Sequence, residues 1–129
     1  MVAQECSLPA SSSQLASARA YVSEAAAAFG LDATSAYELV YGVNEAVTNA
    51  LRHGAPDAGG MIQLSVSDEG DVLTVTVRDA GTFRMPMPDG PAPGAEHGRG
   101  FALMTRFADS VQVCIGPWGT AVSLSKGRA

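Results

Sequence analysis

Charge, aromatic rings and sulfur are scarce in this 129-residue chain: 16% of residues are charged, 6% are aromatic, and Cys6 and Cys114 are the two cysteines. Two thiols outside any CxxC pattern are too few for a metal site, and they read as reduced side chains in a reducing compartment. Lys and Arg number 8 against 13 Asp and Glu, leaving a net charge of −5 and no basic stripe of the kind a nucleic-acid binder carries. The apolar runs are too short and interrupted for a membrane span. No basic region followed by an apolar core opens the chain, so no secretion signal is expected and the location expected is cytoplasmic. What is present is a 47% apolar composition. Over this length it suits one domain, residues 1–129, with a proper core and no internal repeats.

Periodicity orders the elements. Leu8-Pro9 suggests an edge strand that Pro9 ends. Ser11-Ser12-Ser13 offers an N-cap for an Ala-rich helix over Gln14 to Phe29, with Leu15, Ala18, Val22, Ala25, Ala26 and Phe29 on one face and Gly30 as its stop. Asp32 caps a longer helix reaching about His53, which Gly54 terminates. Ile62, Leu64 and Val66 alternate with polar residues, Glu69-Gly70 reads as a turn, and Leu73, Val75 and Val77 alternate in turn. Residues 80–98 are crowded with Pro and Gly and form a long surface loop, the length at which a loop is usually functional or disordered. A short helix over Arg99 to Phe107 follows. Strands at Val111, Val113, Ile115 and at Thr120, Val122, Leu124 flank a turn over Gly116-Pro117-Trp118-Gly119. The order predicts an α/β fold, a two-layer sandwich of a mostly antiparallel mixed sheet with three helices on one face.

Three segments carry candidate chemistry. On the second helix, Leu39, Val40, Val43, Val47, Ala50 and Leu51 form a stripe for the sheet, with Glu45, Asn49 and His53 placed on the far side of it. A solvated polar face is one reading. The other rests on Asn49, a poor mid-helix residue whose carboxamide oxygen is a hard ligand suited to magnesium. Glu45 would then stand one turn away, where a hydroxyl or water attacks a terminal phosphate. Asp79 shares the parity of Leu73, Val75 and Val77, so it faces inward and needs donors. An adenine amino group is one, and Gly81 lets a flat base approach the backbone. A turn-forming Asp at a strand end is the alternative. Gly98-Arg99-Gly100 at a helix start frees amides for an anion, with Arg99 or His97 as further donors, unless these are ordinary loop glycines. No Gly-Lys-Ser/Thr follows, so this is not a Walker loop. Thr120 also faces inward, as a structural strand threonine or as an aid to Asp79 through a water.

In this order and spacing the residues resemble the ATP-binding (Bergerat) fold of the GHKL superfamily. They are most similar to its stand-alone anti-sigma-factor serine/threonine kinases of the RsbW and SpoIIAB type. Glu45-Ala46-Val47-Thr48-Asn49-Ala50 through His53-Gly54 is similar to the N box. Asp79-Ala80-Gly81 is similar to the G1 box, Gly98 to Met104 to the G2 box, and Gly119-Thr120 to the final Gly-Thr. The resemblance runs from about residue 10 to 125. It implies that Asn49 holds Mg2+ and that Asp79, Gly81 and Thr120 shape the adenine pocket of ATP. Arg52, His53, His97, Gly98, Arg99, Gly100 and Phe101 would line the rest of the nucleotide, Glu45 would be the general base, and residues 82–98 would be the ATP lid. It further implies phosphorylation of a serine on a STAS-domain antagonist, regulation of a sigma factor, and a homodimer. The alternative within the same resemblance is a nucleotide-gated partner-binding protein without phosphotransfer. Phe83 stands where the histidine-kinase G1 pattern has a second glycine, which points away from that branch.

Overall fold

The computed structural model describes residues 2–9, 11–51, 61–79, 104–116 and 119–127. Strand β1 (Val2–Pro9) leads to a 3-10 turn (Ser12–Gln14), helix α1 (Leu15–Phe29) and helix α2 (Ala33–Asn49). Strands β2 (Met61–Asp68), β3 (Val72–Asp79), β4 (Ser110–Gly116) and β5 (Gly119–Gly127) follow, and residues 104–107 are helical. The sheet order is β1-β2-β3-β5-β4, and every pairing among these strands is antiparallel. As the sequence predicts, β1 lies at an edge and ends at Pro9, which has no amide hydrogen for a ladder.

The helix boundaries have local causes. The serine run does not cap α1. Ser11 instead organises the preceding turn, its Oγ accepting from the Ser13 amide at 3.3 Å and its carbonyl from Gln14 N at 2.9 Å, while Gln14 enters the helix without a side-chain cap. Gly30 stops α1 at φ 98°, a left-handed conformation open to glycine, with its amide donating back to Ala26 and Ala27. Asp32 then caps α2, accepting from the Ser35 amide at 2.7 Å. The predicted end of α2 near His53 and Gly54 falls outside the described residues. Within them the helix runs to Asn49 and widens into a π turn at 50–51.

One face of the sheet takes both helices. Ala18, Val22, Ala26 and Phe29 of α1 and Leu39, Val43, Ala46, Val47 and Ala50 of α2 are buried. They lie against Ile62, Leu64, Val66, Leu73, Val75, Val77, Val122 and Leu124. Burying each large apolar side chain stabilises the fold by about 1.5–3 kcal/mol. Helix α2 packs tightly on β5 at Gly42, where a Cβ would lie 3.0 Å from Leu124 Cδ2. On the other face the central strands are bridged by hydroxyls, Thr74 to Ser125 and Thr76 to Ser123, each at 2.9 Å. At one end of the layer interface the Lys126 ammonium donates to Glu38 and to the Phe107 carbonyl, both at 2.8 Å. It thereby joins β5, α2 and the helical residues 104–107.

Two tests address this packing. Gly42→Leu should overpack the α2–β5 contact and lower unfolding stability in urea by about 1–3 kcal/mol. The Ser35 amide and hydroxyl hold the Asp32 carboxyl below its ordinary pKa. Its contribution is therefore complete above the ordinary aspartate value and is lost as pH falls through the lowered one. Asp32→Asn keeps an N-cap acceptor that does not titrate. The stability gap between wild type and this variant, followed by urea midpoints at stepped pH, should close across that acid window; a gap independent of pH would contradict the charged cap.

Candidate functional site

Two contacts set the alignment of α2 on the sheet. Glu38 meets Lys126 at 2.8 Å, and Gly42 meets Leu124. Four helical residues advance about 6 Å while two strand residues advance about 6.6 Å, so the match persists along the axis. It carries Ala46 to the level of Val122 and Ala50 to the level of Thr120, with Asn49 one residue, about 1.5 Å, short of that level. Thr120 is the cross-strand partner of Asp79, and Asp79 also pairs with Ile62. The end of α2 thus sits over the end of β3 and the beginning of β5.

Polar residues gather there. Asn49 is 3% exposed, Asp79 5% and Thr120 0%. Among the described residues the remaining buried polar or charged side chain is Lys126, which belongs to the opposite end. A buried polar group needs a partner, since leaving one unpaired costs about 1–3 kcal/mol. No hydrogen bond joins the Asn49 carboxamide to another described residue. A helix interior would more readily hold an aliphatic side chain at such a position.

Asn49 is where the sequence expectation needs correcting. It was placed with Glu45 and His53 on the far side of the apolar stripe, but it lies at the buried margin. Gly42 and Ala46 are small enough for that side of α2 to settle close to the sheet, and this widens the buried arc as far as Asn49. Glu45, one turn back, is half-buried and more accessible. Its neighbour Asn44 is fixed from α1, its Oδ1 accepting from Arg19 Nη1 at 3.0 Å. The Thr48 hydroxyl donates to the Asn44 carbonyl at 2.8 Å.

Asp79 and Thr120 are inward-facing as their strand parity predicts. The structure pairs Asp79 with Thr120 across β3 and β5 and places the end of α2, with buried Asn49, at that same end of the sheet, with Glu45 on the adjoining helix turn. Arg52, His53, Gly81, His97, Gly98, Arg99, Gly100, Phe101 and the loop 82–98 lie outside the described residues. Sequence reasoning did not single out Arg19 or Lys126; an isolated basic residue carries no periodic signal that names its partner.

The arrangement suits a nucleotide with a divalent cation. Asp79 offers a buried carboxylate to a donor, and Asn49 offers a neutral, hard oxygen. Among the described residues no cluster of three His, Cys, Asp or Glu could hold a metal alone. A cation here would take Asn49 together with oxygens of its ligand, as magnesium commonly does.

Comparison with known proteins agrees. The family model for the histidine kinase-like ATPase domain matches residues 8–126. The chain belongs to that family. The anti-sigma F factor of Bacillus licheniformis is 33% identical over 65% of this chain and 64% of its own, and that of Bacillus subtilis is 34% identical over the same shares. This chain therefore spans just under two thirds of the length of those relatives. Among solved structures, the crystal structure of the RsbU and RsbW domains of a Mycobacterium tuberculosis protein superposes with a TM-score of 0.74. It does so over 98% of this chain and 32% of that one, at 22% identity, so the likeness is one of fold. A blue-light activated histidine kinase of Erythrobacter litoralis superposes with a TM-score of 0.58 at 27% identity, over 75% of this chain and 31% of that one. The family and fold expected from the boxes are those found.

The buried carboxamide makes a test that separates stability from binding. Asn49→Leu fills the same volume without a polar atom. In the absence of nucleotide it should match or exceed wild type in urea stability, by up to about 2 kcal/mol. The same variant should lose the magnesium-dependent part of any nucleotide-induced thermal shift. A variant strongly destabilised without nucleotide would show that the carboxamide has a structural partner.

Proposed function

We propose that this protein is an ATP-dependent serine/threonine protein kinase of the anti-sigma-factor type. It would act in the cytoplasm on a STAS-domain antagonist and so regulate a sigma factor. The observation that carries the reading is the convergence of buried Asn49 with the Asp79–Thr120 strand pair. Family membership and the anti-sigma relatives support it. No described helix is long and apolar enough to cross a membrane.

Asp79 accepts a hydrogen bond from the adenine amino group, with Gly81 leaving room for the base and Thr120 beside the carboxylate. Asn49 holds magnesium, which when bound neutralises charge on the phosphates. Amides and side chains of His97, Gly98, Arg99, Gly100 and Phe101, with Arg52 and His53, position the phosphate chain on this reading. Glu45 accepts the proton of the attacking seryl hydroxyl, and its greater exposure suits a group that must meet an incoming protein. Catalysis on this reading is mainly positioning and charge neutralisation.

A second reading, capture of a partner without phosphotransfer, is favoured by the outer face of α2. Tyr37 is 64% exposed there, and its ring lies 6.0 Å from that of Tyr41, which meets Phe107 at 5.2 Å in a tilted arrangement. Tyr37, Tyr41 and Glu45 recur every four residues, so this aromatic row leads toward the proposed base.

Thermal unfolding with and without Mg-ATP tests the common premise. At a hundredfold excess over the dissociation constant, binding adds about 2.7 kcal/mol of stability, a shift of several degrees for a domain of this size. No shift removes both readings. Phosphate transfer from ATP to a purified STAS-domain protein then separates them: transfer by wild type and its loss in Glu45→Ala, with Mg-ATP binding intact, is the outcome expected for a kinase. Asp79→Asn should erase the preference for ATP over GTP, measured by competition; a variant that kept the preference would remove Asp79 from base recognition.

A further inference from the structure

A cavity of about 590 Å³ opens between α1 and the strands that carry the β2–β3 turn. Phe29, Val66 and Leu73 supply its apolar wall, and Gln4, Tyr21, Glu24 and Asp68 its polar groups. It is remote from the nucleotide end. Leu73 lies at one end of β3 and Asp79 at the other, six residues on, about 20 Å at strand spacing. Its volume falls within the range of pockets that take small molecules, about 300–1,000 Å³.

The charged groups of this cavity are all of one sign. Glu24 and Asp68 are carboxylates, and no Lys or Arg is among the lining residues. Asp68 Oδ1 is held in place by the Gly70 amide at 3.0 Å. The same turn adds the exposed Glu69 and Asp71. The Tyr21 hydroxyl oxygen is buried and has no hydrogen-bond partner, so this residue offers the cavity its ring rather than its oxygen. Burial pushes its pKa up, with Cys6 and Glu5 contributing in the same direction. A cation bearing N–H donors answers the two carboxylates and the carboxamide oxygen of Gln4, and the apolar wall calls for a hydrocarbon body.

We propose that this cavity is a second ligand site, which takes a small organic cation: an ammonium on a short apolar or aromatic body. The ammonium sits between Glu24 and Asp68, and the body rests on Phe29, Val66 and Leu73. The site owes nothing to ATP binding and stands whether or not the kinase reading holds.

Phenethylamine, with phenylacetate as its anionic counterpart, serves as the probe, titrated into the 15N-labelled full chain and followed by amide shifts. Phenethylamine should give saturable shifts centred on residues 21–29 and 66–73, with a dissociation constant below about 1 mM, and phenylacetate should bind at least about tenfold more weakly. Glu24→Gln combined with Asp68→Asn should weaken the amine about tenfold, and both substitutions leave hydrogen-bonding groups in place. Ala28→Trp, which fills the cavity from α1, should abolish binding, with its urea midpoint as the check on folding. Equal binding of the two probes, amine binding untouched by the Glu24→Gln and Asp68→Asn pair, or no saturation at all would overturn the proposal.

Discussion

The placement of α2 on β5 is the constraint from which the rest of the structure follows. Gly42 lets the helix approach until a methyl group would already crowd Leu124. The Glu38–Lys126 ion pair pins the same helix a turn earlier. With two points fixed on a stiff rod over a stiff strand, the level of every later residue is determined. A slip of one turn would move Asn49 by about 5.4 Å and part it from Thr120 and Asp79. The candidate site is thus a product of packing well away from it, and its accuracy comes from regular elements rather than loops.

Much of this architecture is legible in the residues. Alternation in β2 and β3 marks the inward faces because a sheet covered on one side forces period two, and Asp79 and Thr120 can be read as inward from parity alone. Gly30 and Asp32 announce the break between the helices because each fills a conformational or hydrogen-bonding need that few other residues meet. The failures are equally physical. The serine run suggested a cap for α1, but the chain spends Ser11 on the turn before it. Helical angle alone put Asn49 beyond the apolar stripe, since angles take no account of how closely small residues such as Gly42 and Ala46 let one side of a helix settle. Strand periodicity marks Val111, Val113 and Ile115 as β4, yet at the sheet edge Ile115 is 61% exposed. Alternation reports which way a side chain points, not whether anything covers it.

Two of the long-range features could not have been read locally. Lys126 looks like part of a frayed tail, but its ammonium lies between α2 and the carbonyl of Phe107, joining segments 19 and 88 residues away in sequence. The cavity beside Tyr21 needs α1, β1 and the β2–β3 turn to be assembled before it exists. The motif-bearing end and this acidic cavity lie at opposite ends of one sheet, and the apolar layer between them is continuous. Each end has its own chemistry, and the core supplies the rigid separation.

The hydroxyl bridges between β3 and β5 have a consequence of their own. Thr74, Thr76, Ser123 and Ser125 carry no charge, so their mutual bonds neither titrate nor respond to dissolved ions. Ion pairs across the same strands would loosen in brine and shift with acidity. The backbone ribbon that carries both Asp79 and Thr120 is therefore buttressed by contacts indifferent to electrolyte. Whatever salt dependence the protein displays should arise from its ligands and its carboxylates, not from the spacing of those two strands.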